Sequence, residues 1–177
     1  MGINTRRFWD FSYKVYTNDG IDSLCLQLQD ERGFDINLVL FCLWFGVTRG
    51  ELTDAALARA RQHADAWRTL KVQPLRNLRR HMKRRLEEVP AGSRPAYGQL
   101  RERIKRCELE AERLQQQILE RLAGQLKGTG IAGAGAMTAN LERLAMQMGM
   151  VPDGDLKEKF TRLRVAGDSL DSPPPPA

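Results

Sequence analysis

Basic side chains in the middle of the chain follow a spacing that suits binding to anionic groups. Residues 74–85 contain six Lys or Arg and no acid. Five of the six recur at i, i+3, i+4, i+7 and i+8, which places them on one helical face. They are Arg76, Arg79, Arg80, Lys83 and Arg84. This basic strip could contact an acidic protein, or nucleic acid through counterion release. The alternative is a solvated structural face that pairs with acids on a neighbouring helix.

Polar residues beside a long apolar run form a second candidate site. These residues are Trp9, Asp10, Gln29, Asp30 and Asn37. Buried polar groups are costly unless they are paired, so this set predicts either an internal network or the lining of a ligand pocket. Asp30 and Asp35 could help to bind a divalent metal, but their spacing matches no calcium loop and helix capping accounts for Asp35. We assign no metal site and no cofactor.

Motifs that would indicate catalysis are weak, so we assign no catalytic residue. His63 and His81 lie in basic amphipathic segments without an evident acid–base partner. Residues 130–135 read GIAGAG, but no strand pattern precedes them and no Gly-Lys-Ser follows. On balance, the sequence favours a protein without enzymatic activity.

Composition favours a small helical protein with anionic partners. The 177 residues include 28 Lys or Arg and 22 Asp or Glu, a net charge of +6. No apolar run reaches the roughly 20 residues of a membrane span, and the N-terminus has no apolar signal core, so we expect a cytoplasmic protein without a membrane partner. Three cysteines lie within apolar helical patterns, which predicts buried thiols: Cys25, Cys42 and Cys107.

The strongest structural signal is the apolar run DINLVLFCLWFG at Asp35–Gly46. Asp35 is a good N-cap, and Gly46 is a residue typical of helix ends. A helix that is apolar on nearly all of its faces is expected in the interior of a helical bundle. Two amphipathic helices precede it, the first from Thr5, so residues 5–50 predict a three-helix core. Helix formers dominate and strand patterns are scarce, which predicts an all-α helical bundle.

Residues 53–126 predict a long antiparallel helical hairpin. Two starts are offered for its first helix: Thr48, which has capping-box spacing with Glu51, and Thr53 a turn later. That helix is broken or kinked at Pro74. Beyond Pro74 an apolar stripe continues through Leu75, Leu78, Met82, Leu86 and Val89. In the second helix, Tyr97 to Leu126, apolar residues alternate by three and four, which predicts a coiled-coil seam and a route to self-association. That seam comprises Tyr97, Leu100, Ile104, Cys107, Ala111, Leu114 and Ile118, and is continued by Leu122 and Leu126.

The domain prediction divides the chain after this hairpin. Residues 1–126 form the helical domain, and residues 127–137, which contain four glycines, predict a flexible linker. Residues 138–166 predict short C-terminal helices, the first capped by Thr138. Residues 167–177, GDSLDSPPPPA, predict a disordered Pro-rich tail.

Several sequence patterns resemble one family of hypothetical proteins. They are W-D-F-S from Trp9, L-Q-D from Leu28, D-I-N-L from Asp35, L-F-C-L-W from Leu40 and E-L-E-A-E-R-L-Q-Q from Glu108. Together they resemble a proteobacterial family built on a domain of unknown function, over approximately residues 8–145. The resemblance implies a small cytoplasmic helical protein and carries no functional residues with it.

Two hypotheses of function follow. The preferred one is a non-enzymatic interaction or regulatory protein, in which the basic strip contacts an acidic protein or nucleic acid. The alternative is a helical domain, possibly an enzyme, that binds a small molecule or metal in a polar pocket beside the N-terminal core.

Overall fold

A computed structural model describes residues 7–168, and within them the chain is almost entirely helical, so the all-α prediction is confirmed. Eight α-helices occupy this range: α1 Phe8–Tyr16, α2 Ile21–Arg32, α3 Ile36–Arg49, α4 Asp54–Trp67, α5 Gln73–Arg84, α6 Arg94–Ala123, α7 Ala134–Gln147 and α8 Gly154–Asp168. A π-helical turn, Arg68–Val72, joins α4 to α5, and two short strands, β1 Glu51–Leu52 and β2 Gly128–Thr129, pair with each other. No helix among the described residues could span a bilayer.

Helix α3 lies at the centre of the bundle, as its apolar sequence predicts. Leu40, Phe41 and Trp44 are all at most 3% exposed. The Trp44 ring stacks on that of Phe8 from α1, with 5.2 Å between centroids. Asp35 caps the helix, since its Oδ1 accepts a hydrogen bond from the backbone N–H of Asn37 at 2.9 Å. The predicted centre of the core is therefore confirmed.

The prediction that Gly46 ends this helix is wrong. Helix α3 continues to Arg49, and the chain leaves it at Gly50, where φ is +91°. Gly46 serves packing instead, because a Cβ there would lie 2.6 Å from the backbone nitrogen of Met137 in α7. Thr48 is likewise inside α3 and not a cap, whereas Thr53 caps α4 as predicted.

The core extends beyond the N-terminal segment in which the sequence places it. Helices α7 and α8 pack against α3 and contribute buried side chains, among them Met137, Leu141, Leu156 and Phe160. Arg32 at the end of α2 pairs with Asp153 and Asp155, at 3.1 Å each, and so links α2 to the start of α8. The two C-terminal helices thus complete the bundle.

The glycine-rich segment is not a plain linker. Gly128 and Thr129 form β2, and a Cβ on Gly128 would lie only 1.9 Å from the carbonyl oxygen of Arg49. Helix α7 begins at Ala134, one turn before the predicted cap at Thr138. In the predicted tail, residues 167 and 168 belong to α8, while residues 169–177 lie outside the described residues, as does the predicted helix start at Thr5.

The register of α6 also differs from the prediction. Leu100 and Leu114 of the predicted seam are 48% and 47% exposed, and Cys107 is exposed. Of the predicted seam, Ala111, Leu122 and Leu126 are buried. The buried face of α6 also contains Glu108, Gln115, Gln116, Leu119 and Ala123, which the seam did not include. The predicted stripe that begins in α5 is buried only at Met82, while Leu78 in α5 and Leu86 just beyond it are exposed. Polar partners on neighbouring helices allow Glu and Gln to occupy buried positions that an apolar pattern does not reveal.

Candidate functional site

A cleft of about 470 Å³ opens where α1, α2 and the start of α3 face the π-helical turn, α5 and α6. We call it the polar cleft. Its lining combines three aromatic side chains of α1 with four arginines, three carboxylates and four side-chain amides. These residues are Trp9, Tyr13, Tyr16, Arg68, Arg76, Arg79, Arg80, Asp35, Glu108, Glu112, Gln29, Asn37, Gln115 and Gln116. A concave surface with apolar walls and convergent polar groups is typical of a ligand site.

The floor of the polar cleft is an amide network. The Asn37 amide donates to Oε1 of Gln115 at 2.7 Å and accepts from Nε2 of Gln116 at 2.8 Å. Gln115 Nε2 donates to Oδ2 of Asp35 at 2.7 Å. Burial raises the pKa of the Asp35 carboxyl group, although the Gln115 hydrogen bond and the positive charge of Arg68 act against that shift. The network fixes α6 against the start of α3.

A cluster of ion pairs closes one side of the polar cleft. Arg76 donates through Nε to Glu108 at 2.9 Å, through Nη1 to Gln29 at 2.6 Å, and through Nη2 to Glu112 at 2.5 Å. Arg79 donates to the second oxygen of Glu108 at 2.5 Å. These contacts pair successive turns of α5 with successive turns of α6 in opposite order, so the two helices run antiparallel.

The two glutamates of this cluster differ in their pKa. For Glu108, burial acts to raise the pKa, but the hydrogen bonds from Arg79 and Arg76 outweigh it and hold the pKa below its ordinary value. For Glu112, burial outweighs the attraction of Arg76, and the nearby carboxylates of Glu108 and Asp35 add to it, so the pKa is raised. Neighbouring carboxylates carry like charges, which disfavour the ionised form of each of them.

Some buried polar atoms of the polar cleft have no hydrogen-bond partner among the described residues. They are Ser12 Oγ, Arg68 Nε and Gln116 Oε1. Trp44 Nε1 and Arg101 Nε are also unpartnered, but they lie outside the cleft lining. Unsatisfied buried groups are uncommon in folded proteins and call for an explanation. Three of them in one concave site indicate a place where a ligand can complete the hydrogen bonds.

The structure brings the two predicted sites together. Trp9, Gln29 and Asn37 from the predicted polar set, and Arg76, Arg79 and Arg80 from the basic strip, line the same cleft. Asp10 and Asp30 lie outside its lining, and Asp30 pairs with Arg80 at 3.2 Å on the surface. Lys83 and Arg84 lie further along α5 and are exposed.

Sequence reasoning missed Arg68, Ser12 and the paired acids Glu108 and Glu112 as parts of one site. The alternative interpretation of the basic strip predicted pairing with acids on a neighbouring helix, and the structure pairs Arg76 and Arg79 with Glu108 and Arg76 also with Glu112. Arg68 could have been found only from the position of Pro74. That proline has no N–H to donate to the carbonyl of Leu70, and the helix widens into a π turn just before it.

The described residues offer no cluster of three or more His, Cys, Asp or Glu side chains that could hold a metal ion. Cys25 and Cys42 are buried, and burial raises the pKa of Cys25 to about 12 and raises that of Cys42 as well. Cys107 is exposed, contrary to prediction, because it lies beside the buried face of α6 and not on it. High thiol pKa values leave the two buried cysteines unreactive.

A second surface is the distal part of the α5–α6 pair, residues 73–107, which we call the basic arm. It contains eleven Lys or Arg and three Asp or Glu, a net charge of +8. The rest of the chain contains seventeen Lys or Arg and nineteen Asp or Glu, a net charge of −2. The positive charge of the protein is therefore concentrated in about one fifth of its length.

The fold and these two surfaces define an all-helical protein with a polar cleft at the root of a basic two-helix arm. The chain belongs to the DUF2390 family, whose description is "Protein of unknown function" and whose sequence model matches residues 7–119. That span contains both the polar cleft and the basic arm. No curated protein and no solved structure matches the chain.

Proposed function

We propose that this protein is a non-catalytic binding protein whose basic arm docks onto an acidic surface of a partner protein. The observation that carries the proposal is the segregation of charge, +8 on residues 73–107 against −2 on all others. A patch of one sign accelerates encounter with a partner of the opposite sign and sets the orientation of docking. Such a partner would act in a regulatory or scaffolding assembly.

The eleven cations of the basic arm divide into three groups. Three of them pair with glutamates of the arm itself: Arg85 with Glu88, Arg94 with Glu87 and Arg101 with Glu102. Arg76, Arg79 and Arg80 at the root are engaged with Glu108, Glu112 and Asp30 and hold the arm to the body. Further out, five exposed cations have no ion pair within residues 7–168. They are Lys83, Arg84, Arg103, Lys105 and Arg106. We therefore propose that the partner contacts the outer end of the basic strip and the facing part of α6, and not the whole strip.

Exposed leucines on the basic arm favour a protein partner over nucleic acid. Leu78, Leu86 and Leu100 are 47%, 38% and 48% exposed and are interspersed with the cations along the sequence. Protein interfaces combine apolar contacts with charged rims, whereas a phosphate backbone offers chiefly charge. An acidic protein surface with apolar residues among its carboxylates matches both features.

Charge reversal at the outer end tests this function. Full-length protein is used as bait in native lysate, with and without nuclease, and captured proteins are identified and re-tested in purified form. We expect Lys83→Glu with Arg84→Glu to abolish capture of an acidic protein while the helical circular dichroism persists. The control is Arg121→Glu with Lys127→Glu, which makes the same change in charge at exposed positions outside the arm.

Two outcomes contradict the proposal. If both double variants retain the purified partner equally, the basic arm is not the contact surface. If nuclease removes all capture and a duplex oligonucleotide binds with a steep salt dependence, the arm binds nucleic acid instead.

A further inference from the structure

Arg68 occupies an unusual position in the polar cleft. It is the first residue of the π-helical turn Arg68–Val72, and both ends of that turn contribute to the cleft lining. Single π turns within helices occur frequently at functional sites, because they shift side chains out of the regular helical register. The Arg68 Nε atom is buried without a partner, and its guanidinium group has no ion pair within residues 7–168.

The other arginines of the polar cleft are already engaged. Arg76 uses all three of its nitrogens in hydrogen bonds, and Arg79 is held by Glu108. Arg80 pairs with Asp30 at the rim. Arg68 therefore provides a guanidinium group that can accept a ligand anion without breaking an existing ion pair.

From these contacts we propose that the polar cleft binds a small organic carboxylate, with Arg68 holding the carboxylate and the aromatic wall of α1 contacting an apolar or aromatic body. Arg pairs with carboxylates through two parallel hydrogen bonds, which gives both affinity and orientation. Trp9 and Tyr13 are 37% and 63% exposed and line the cleft. The guanidinium group of Arg113 lies over the Trp9 ring, 5.0 Å from its centroid, so the ring surface open to a ligand belongs to Tyr13 and the other face of Trp9.

Two further groups would complete the hydrogen bonds of such a ligand. The Ser12 and Gln116 side chains are only 3% and 5% exposed, both line the cleft, and Ser12 Oγ and Gln116 Oε1 have no partner among the described residues. The hydroxyl group can donate to a carboxylate or a carbonyl, and the amide oxygen can accept from a hydroxyl or N–H group on the ligand body. Burial of these groups without a ligand is costly, which favours an occupied cleft.

Charge balance argues against a cationic ligand and against a phosphate. The three carboxylates, Asp35, Glu108 and Glu112, each already accept a hydrogen bond from a protein side chain. A cation would have to compete with those bonds. A dianionic phosphate would meet three acids and only one guanidinium group that lacks an ion pair among the described residues, and the Asp35 carboxylate already attracts that group. A ligand with a single carboxylate matches this one cleft arginine without an ion pair within residues 7–168.

The test uses defined probes and the full chain. Phenylacetate, indole-3-acetate and hexanoate are titrated to millimolar concentration into isotope-labelled protein, followed by amide chemical shifts, beside the neutral phenylacetamide and the cationic phenethylamine. We expect at least one carboxylate to shift the amides of α1 and residues 68–72 in a saturable manner. The amide and the amine should bind at least about tenfold more weakly, since they lack the charge that pairs with Arg68.

The variants assign that binding to Arg68. Arg68→Gln should weaken carboxylate binding by about tenfold to a hundredfold, while Arg121→Gln on the exposed side of α6 leaves it unchanged. If Arg68→Gln fails to fold, Arg68→Lys retains the charge without the planar pair of donors and should still weaken binding.

Saturable shifts that are equal for acid and amide, or unaffected by the Arg68 variants, overturn the proposal, as does the absence of any shift. Because Arg68 and Ser12 lie outside the basic arm, failure of the carboxylate site and failure of the protein-docking proposal are separately detectable.

Discussion

The interior around α3 and the interior between α5 and α6 are both shielded from water, but they are built in opposite ways. Around α3, residues such as Phe41, Leu43 and Phe45 are fully buried and contact other apolar side chains. On α6, Glu108 and Gln115 are 5% and 2% exposed and contact charged or amide groups. Equal burial therefore arises from packing in one region and from pairing in the other.

The two modes of burial have different consequences for stability and for binding. Apolar packing is non-directional, and the unpartnered atom around α3, Trp44 Nε1, lies outside the cleft lining. A layer of paired polar groups leaves donors and acceptors near the surface, and here it leaves Ser12, Arg68 and Gln116 incomplete. The polar layer is thus the region from which binding is expected.

The largest effect should come from the apolar region. Phe41→Ala removes a fully buried ring that contacts Phe8, Trp44 and Phe45. We expect a loss of about 3–5 kcal/mol in the free energy of unfolding, because transfer and cavity terms add. Urea denaturation followed by circular dichroism measures it, with Leu26→Ala at a half-exposed position as control. Equal losses in the two variants would refute the assigned core.

In the polar region, Glu108→Ala should be the most damaging change. It leaves the guanidinium groups of Arg76 and Arg79, whose side chains are 11% and 23% exposed, without their shared partner. Arg76 keeps its contacts with Glu112 and Gln29, whereas Arg79 loses its carboxylate partner. We expect a loss of about 2–4 kcal/mol, since an uncompensated and largely buried charge is costly. The control is Glu110→Ala, two residues away and exposed. A Glu108 effect no larger than the control would show that the cluster does not hold the hairpin.

The amide network should contribute less. Gln115→Leu keeps the approximate size of the side chain but removes the hydrogen bonds to Asp35 and Asn37. We expect destabilisation of about 1–3 kcal/mol, because Asp35 and Asn37, which are both partly buried, each lose a hydrogen bond. The measurement is again chemical denaturation. A neutral or stabilising result would mean that water replaces the amide at this site.

A smaller effect concerns pH. Because the arginines hold the pKa of Glu108 below its ordinary value, ionised Glu108 stabilises the folded state above that ordinary value near 4.5. This stabilisation is lost as the pH falls through the lowered pKa. The difference in stability between wild type and Glu108→Gln should therefore shrink as the pH is lowered from 7 to 3. A constant difference over that range would exclude the ion pairs as its source.

The smallest effect belongs to the surface pair Asp30–Arg80. Their side chains are 52% and 42% exposed and their atoms lie 3.2 Å apart. A double-mutant cycle with Asp30→Ala and Arg80→Ala should give a coupling free energy of about 0.2–1 kcal/mol, which falls with added salt. A coupling free energy above that range would show that this pair contributes as much as the buried ion pairs do.

Sequence patterns predicted the parts of this fold that depend on local signals. Asp35 caps α3, Thr53 caps α4, and the apolar run of α3 is buried, because caps and strong hydrophobic runs act within a few residues. Gly46 misled the prediction because its lack of a side chain serves contact with Met137, which is far away in the sequence.

The candidate site could be predicted only in part, because its residues meet through contacts between positions far apart in the sequence. Sequence patterns singled out Trp9, Gln29, Asn37 and the basic strip. They did not predict that these residues line one cleft. Gln115 contacts Asp35 across 80 positions, and such pairs leave no periodic signal. The heptad spacing of Leu100 and Leu114 was real as a pattern, yet the buried face of α6 follows its polar partners.

We assign stability and binding to different regions, a packed core around α3 and a polar cleft with its basic arm. Native-state hydrogen exchange separates the two, since it reports the free energy of opening residue by residue. We expect amides of residues 39–45 to exchange only through global unfolding, whereas amides of α5 exchange through local opening at clearly lower free energy. Equal protection of α3 and α5 would refute this division.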